Sequence, residues 1–572
     1  MRLRLSGLSL IYGLALIALA SVLVSLLGNI LASLSVESEI GRVTLHNFAR
    51  LLGDPDFPPM LCRTLIQGGG TVVVMLFFSL PIAWLVARTD MRGKGMIVAL
   101  LTAKLAIPGF ITAMAYVWLL NPNNGMVNAL LGRTGIDATP LANIYGLGWI
   151  CFLQGVVLVP ACVFLILPAF FTMDGTLEEA AWVSGVTRWR TLRGIVIPLL
   201  APALLAAMLF FFVVAIEVFD FVGLIGMPGH VEVLSLWIYD ATHPVVGLPD
   251  YGFAGAAGMA MFALSGTAIA CYVHYLKRAR RFAVLGGKAR QVDLLELGKW
   301  RWAAHGFVGT WLLIALGLPI ATLLWTALVP FLEPPSTAAL AHLTLNGFVF
   351  AFTYMGKPLV NTLLVMAISV LLTLLWGASV SWVATRSRSR FGQWLDALIF
   401  LSPAVPSMVA AVAFQMMGIA LHRWIPLYGS IWLIAIAMAT RLLAFGTRTV
   451  NAAAFQINPE LDEAAYASGV SRGKAFRRIF LPMVTPALFY AAIMAGMLSA
   501  RELTLPLMID TGHASLVSTL IFNLQTNGNV GPASAVGLYM IVLLLALVLA
   551  ARWLGGFSER GITSAPPRGE EA

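Results

Sequence analysis

Two stretches of this sequence set acids, small residues, a glycine, bases and a proline at matching intervals. The first runs Glu178-Glu179-Ala180-Ala181, then Gly185, Arg188, Arg190 and Arg193, then Pro198. The second runs Asp462-Glu463-Ala464-Ala465, then Gly469, Arg472, Lys474 and Arg477, then Pro482. Each reads as a short helix, a turn and a second helix. Acids at a helix start complement the macrodipole, and the alanines let another surface approach closely. The glycine takes a turn that a side chain would hinder, and proline is tolerated where the next helix opens. Such a set makes no bonds; its small residues and its turn suit close packing. A basic loop resting on lipid headgroups needs charge, but not the same Glu-Ala-Ala, glycine and proline spacing twice.

A second set of residues lies within or beside apolar runs, where ionisable groups are costly and therefore functional candidates. Glu217 and Asp220 are three residues apart, which predicts one helical face, and the alignment of the repeats puts Arg501 opposite Glu217 with Glu502 beside it. Pro202 to Glu217 is 15 residues, roughly 22 Å of helix, so these groups are expected near the outer mouth of a path. They either line and gate it, with Glu217 and Arg501 as a pair, or are wetted helix ends. Three carboxylates against one guanidinium favour a cationic cargo. Arg441 interrupts another apolar run, and a hydrogen-bonding role inside the bundle is its default reading.

Catalysis finds no support. The sequence has no nucleophile–base set and no paired histidine spacing, and of its four cysteines, Cys62, Cys151, Cys162 and Cys271, three fall in apolar runs where a thiol behaves as a small hydrophobe. The nearest lookalike to a phosphate loop, Gly469 to Lys474, has too few residues between its glycines and lacks Ser or Thr after the lysine. Gly252, Gly255 and Gly258 open an apolar run and suit close helix packing. No metal site, no ATP site and no cofactor is therefore expected in this chain.

The elements that must hold these loops follow from composition. Of 572 residues, 59% are apolar and 11% charged, against roughly 25% charged in soluble domains, and the mean hydropathy is +0.88. A helix needs about 20 apolar residues to cross the hydrocarbon core. Runs of that kind lie at 8–28, 65–87, 96–120, 144–168, 199–222, 252–276, 303–331, 359–384, 395–420, 428–450, 484–508 and 533–553, which makes twelve expected spans in an all-α polytopic membrane protein. With both termini cytoplasmic, 26 of the 36 Lys and Arg residues fall on the cytoplasmic side and six on the other, as the positive-inside rule requires. The net charge of +10 then needs no nucleic acid to explain it.

Residues 177–204 align without gaps on 461–488, an offset of 284, with fourteen of 28 positions identical. An earlier block repeats at an offset of 298, setting Thr64 on Thr362, Arg88 on Arg386 and Pro108 on Pro406. Two homologous six-span halves are expected, 1–276 and 303–556, joined by a basic linker at 277–302 and followed by a tail at 557–572.

Glu-Ala-Ala, a glycine four residues after the second alanine, and Ile-x-x-Pro nine or ten residues later resembles the signature loop of binding-protein-dependent ABC importer permeases of type I. The resemblance extends over nearly the whole chain, and two halves in one chain is similar to ferric-iron permeases, with thiamine and phosphonate permeases as further cases. It implies a permease in a bacterial inner membrane, two copies of a cytoplasmic ATPase carrying ATP and magnesium that dock on the two loops at 178–198 and 462–482, and a periplasmic solute-binding protein. Ferric iron is the expected solute, with phosphonate, thiamine or polyamine as alternatives on the same machinery. The rival class is an ion-coupled secondary transporter, which calls for ion ligands near mid-membrane and leaves the paired loops unexplained.

Overall fold

The computed structural model describes residues 7–35, 43–135, 143–172, 180–181, 183–279, 294–387 and 390–562. In the first half of the sequence these form α1 (Gly7–Leu34), α2 (Phe57–Arg88), α3 (Lys94–Ala106), α4 (Gly109–Leu120), α5 (Leu147–Thr172), α6 (Ile197–Glu217), α7 (Leu234–Thr242) and α8 (Tyr251–Ala279). The second half supplies α9 (Gly298–Leu328), α10 (Gly356–Arg386), α11 (Arg390–Phe400), α12 (Ser407–Leu421), α13 (Ile431–Ala454), α14 (Glu460–Ala467), α15 (Leu481–Ala500), α16 (Val517–Thr526) and α17 (Val530–Ile562). Among the described residues the β structure is a single bridge, Thr89 to Leu295.

Among the described residues ten helices are long and apolar enough to cross a bilayer. The third and ninth expected spans, 96–120 and 395–420, are broken rather than continuous. The α3–α4 pair bends by 89°, and α11 and α12 are separated by a short 3-10 segment, Ser402–Ala404. Both breaks sit at a repeated proline. Ile107 before Pro108 and Val405 before Pro406 are extended, with ψ of 123° and 113°, because a proline ring disfavours the helical region for the residue it follows. The same carbonyl closes each turn: Ile107 N–H donates to Lys104 O and Val405 N–H to Ser402 O. The fifth and eleventh spans end earlier than expected, at Glu217 and Ala500 instead of 222 and 508.

Prolines explain three π-helical segments as well. Leu192–Val196, Leu313–Gly317 and Phe476–Phe480 each end two residues before a proline, Pro198, Pro319 or Pro482. Proline has no N–H for the carbonyl four residues back and its ring clashes there, so the ladder widens by one residue. The first and last of these segments occupy the same repeat position.

Two compact units divide the chain, and they interleave along the sequence. One holds Met1–Val43, Thr353–Leu520 and Tyr539–Ala572; the other holds Thr44–Phe352 and Ile521–Leu538. The first helix of each sequence half thus packs in the unit of the other half. In the first unit α1 lies on α10 and α12: a Cβ on Gly28 would stand 2.9 Å from the Ala413 side chain, and Tyr12 meets Trp382 edge-on. In the second, α9 lies on α2, α4 and α5, where Tyr116 Oη donates to Ile314 O at 2.9 Å and Trp311 Nε1 to Val156 O at 3.3 Å. The partition at 1–276 and 303–556 describes the sequence repeat, while packing follows the exchanged helices.

Of the linker, residues 280–293 lie outside the described residues. Its end is tied to the loop after α2. Leu295 N–H donates to Arg88 O and Asp90 N–H to Leu295 O, both at 2.9 Å; Asp90 Oδ1 accepts from Leu297 N–H at 2.9 Å, and Asp90 Oδ2 pairs with Arg301 at 2.5 Å. The Leu297 amide, and after it Arg301, hold the Asp90 carboxyl below the usual carboxylate range, against burial that works the other way. A carboxyl whose native pKa is depressed stabilises above its unfolded pKa and loses that contribution as pH falls through the native value. Hydrogen-exchange protection of Leu295 and Leu297, corrected for intrinsic rate, is therefore expected to be full at neutral pH and to collapse below about pH 4. Asp90→Asn should lower it already at neutral pH.

Candidate functional site

The two repeated loops fold alike wherever both are described. In the second, α14 ends in a Schellman motif: Val470 N–H reaches Ala465 O at 2.9 Å, and Gly469 takes a left-handed φ of +79°. In the first, Val186 N–H reaches Ala181 O at 2.9 Å and Gly185 has φ +77°. Ser184 and Ser468 each return their hydroxyl to the carbonyl four residues back, Ala180 and Ala464. Apart from the glycine itself and the adjacent residues, no described atom lies within 4 Å of a Cβ built on Gly185 or Gly469. Glycine is required there for its backbone, not for space.

Glu463, Ala464, Val183 and Ala180 are exposed on these loops, whereas Ala181 and Asp462 are buried. Arg472 stacks over Tyr466 at 5.8 Å and opens a short helix, Arg472–Ala475, that leads through the π-helical segment to Pro482 and α15. Arg188 opens the matching helix, Arg188–Thr191, ahead of Pro198. Glu178 and Glu179 lie outside the described residues. Each loop thus presents a short helix with a rigid αL stop, continuous with a membrane helix.

At the other end of the spans the sequence expectation needs correction. α6 stops at Glu217, and Val218 is extended with ψ 122°, so Glu217 and Asp220 do not share one helical face. Glu217 is buried. Asp220 lies against the first turn of α4, its Oδ2 3.0 Å from where a Cβ on Gly109 would be. Arg501 caps the end of α15, and Glu502 O accepts from Ser518 Oγ at 2.9 Å. Glu217 and Asp220 belong to one unit, Arg501 and Glu502 to the other.

Ending a helix inside an apolar bundle orphans its last carbonyls. Gln67 and Gln154 answer this for α6, donating to Ala215 O at 3.0 and 2.9 Å. In the second half the counterparts of Gln67 and Gln154 are the apolar Val365 and Met438, and the hydroxyls of Ser369 and Ser499, at the positions of Thr71 and Ala215, meet at 3.0 Å. Thr64 and Thr362 repeat one contact more closely, accepting from Leu234 N–H and Val517 N–H at 3.0 and 2.9 Å and so holding α7 and α16 to α2 and α10.

Lys104 is a site residue that sequence reasoning passed over. It is 1% exposed, and its Nζ donates to Thr112 Oγ1 at 2.7 Å across the bend between α3 and α4. Thr112 is one turn from Gly109, so a cation and the Asp220 carboxylate share the elbow. Its repeat counterpart is Ser402, which makes the charge a property of one half. The available signal was a lysine four residues before a repeated proline.

Residues 374–556 match the family model described as binding-protein-dependent transport system inner membrane component. The chain is an ABC importer permease. The ferric transport system permease protein FbpB of Actinobacillus pleuropneumoniae is 24% identical to this permease over 529 residues, spanning 89% of this chain and 72% of that protein. FbpB 1 of Haemophilus influenzae is 25% identical over 465 residues, spanning 78% and 69%. The sulfate transport system permease protein CysT of Salmonella typhimurium is 28% identical over 204 residues, or 34% of the permease and 74% of that protein.

Proposed function

We propose that this permease imports ferric iron handed to it by a periplasmic binding protein, powered by two ATPase subunits that hold ATP and magnesium and seat one on each repeated loop. The observation that carries the reading is the Schellman-stopped helix found twice at an offset of 284, each copy continuous with a membrane helix. Both termini and both loops face the cytoplasm, in keeping with the side that carries most of the Lys and Arg. ATP-driven closure of the two subunits draws the loops together and turns the bundle from inward-facing to outward-facing; hydrolysis resets it.

Iron is supported by the similarity to ferric transport permeases and by the carboxylates Glu217, Asp220 and Glu502 at the outer ends of the spans. Recognition is left chiefly to the binding protein.

The test is uptake of radioactive ferric iron by proteoliposomes holding the permease with its ATPase and iron-loaded binding protein. Uptake is expected to require internal ATP and to survive ionophores that collapse every ion gradient. Uptake that persists without ATP and stops with the ionophores would assign the chain to the ion-coupled class.

A further inference from the structure

A docking helix must pass its movement to the membrane helices. Covalently, α14 is joined to α15. It has a second attachment in the same compact unit. Asp462, in the first turn of α14, stands 2.7 Å from Arg386 Nε, and the two side chains are 5% and 7% exposed. Arg386 is the last residue of α10, and its second guanidinium nitrogen donates to Ile457 O at 3.1 Å in the segment leading to α14. A buried ion pair contributes little net stability against apolar replacements, but losing one partner is severe because a charge is left buried alone. That asymmetry suits a fixed joint better than an adhesive.

Its surroundings are rigid. α10 runs along α13, where a Cβ on Gly446 would fall 2.7 Å from the Thr373 methyl. At the same end, Asp396 of α11 accepts from Asn451 Nδ2 at 2.9 Å and pairs with Arg448 of α13 at 3.3 Å. A displacement of Asp462 is thereby delivered to α10, α11 and α13, and not to α15 alone. The repeat carries the same elements in the first half: Arg88, aligned with Arg386, is buried at the end of α2, and Glu178, aligned with Asp462, is an acid.

Resting on the docking role assigned above to these loops, we infer that Arg386 and Asp462 are positioning residues that convert movement of the docked helix into movement of α10. They are distinct from the exposed face of the loop, which meets the ATPase.

The experiment uses the intact permease–ATPase complex with iron-loaded binding protein and compares uptake of radioactive ferric iron per ATP hydrolysed. Asp462→Asn and Arg386→Gln are expected to retain the ATPase on purification and to lower that ratio about tenfold. Asp462→Glu, which places in the second loop the acid found in the first, is expected to stay within about twofold of the unaltered chain, and the exchanged pair Arg386→Asp with Asp462→Arg to recover much of the loss. A ratio unchanged in both single variants overturns the inference. So does a loss that neither Asp462→Glu nor the exchanged pair relieves, since that marks a merely structural role. Failure of the ATPase to co-purify with the unaltered chain would instead overturn the docking reading itself.

Discussion

Replacing Gly185 and Gly469 together by valine is expected to lower both ATPase co-purification and ATP-driven uptake about tenfold or more. At φ +77° and +79° an L residue costs roughly 1–2 kcal/mol, and a β-branched one more. The turn escapes that cost only by giving up the Val186-to-Ala181 and Val470-to-Ala465 hydrogen bonds. Two such turns together exceed the 1.4 kcal/mol that corresponds to a tenfold change in an equilibrium. Because no described atom beyond the adjacent residues lies within 4 Å of either built Cβ, the substitution tests backbone conformation and not space. Asparagine tolerates the left-handed region, so Gly185→Asn with Gly469→Asn is the matched control and should stay near the unaltered activity. Valine variants that behave like the asparagine ones would show that the stop of the docking helix is not what the partner reads.

The second large effect is at the elbow of the first half. Lys104→Met removes a charged hydrogen bond to Thr112 Oγ1 across the 89° bend, and bonds of that kind contribute about 1.5–3 kcal/mol. The expected result is a lower thermal midpoint of the detergent-solubilised protein and slower uptake, with the ATPase still bound, since the docking loops are untouched. Thr112→Val tests the same bond from the other side. Once either partner is gone the second substitution should add little, and a double-mutant cycle reads that non-additivity. Strictly additive losses would mean that Lys104 acts through other contacts. At the corresponding position in the second half, Ser402→Ala is expected to be far milder.

Hydropathy located the spans well because a bilayer demands long apolar helices. It was blind to their interruptions. Pro108 and Pro406 were visible as a repeated pair, yet an apolar run reads the same whether the chain passes straight through or turns by 89° at a proline. The Glu217–Asp220 face failed for a related reason. Spacing of three implies a shared face only if the helix continues, and Val218 leaves it. The exchange of α1 and α9 between the compact units was not legible at all, since a sequence repeat records kinship of segments and not which copy each one packs against. The docking loops were the most legible feature. Their glycine, serine and alanine pattern encodes a complete local structure, closed by hydrogen bonds within about six residues, so no distant contact is needed to specify it. Arg386 was legible as a repeat of Arg88, but its pairing with Asp462 joins residues 76 positions apart and required the fold.

The proposed function requires two docking helices, one in each half, that each receive an ATPase subunit. Single cysteines at Val183 and at its repeat counterpart Ala467, both exposed, placed in a background free of native cysteines, test it by cross-linking in the assembled complex. Each cysteine alone is predicted to give a permease–ATPase adduct, and both together a product carrying two ATPase subunits per permease. An adduct from only one position, or from neither in complexes that still transport, would contradict it.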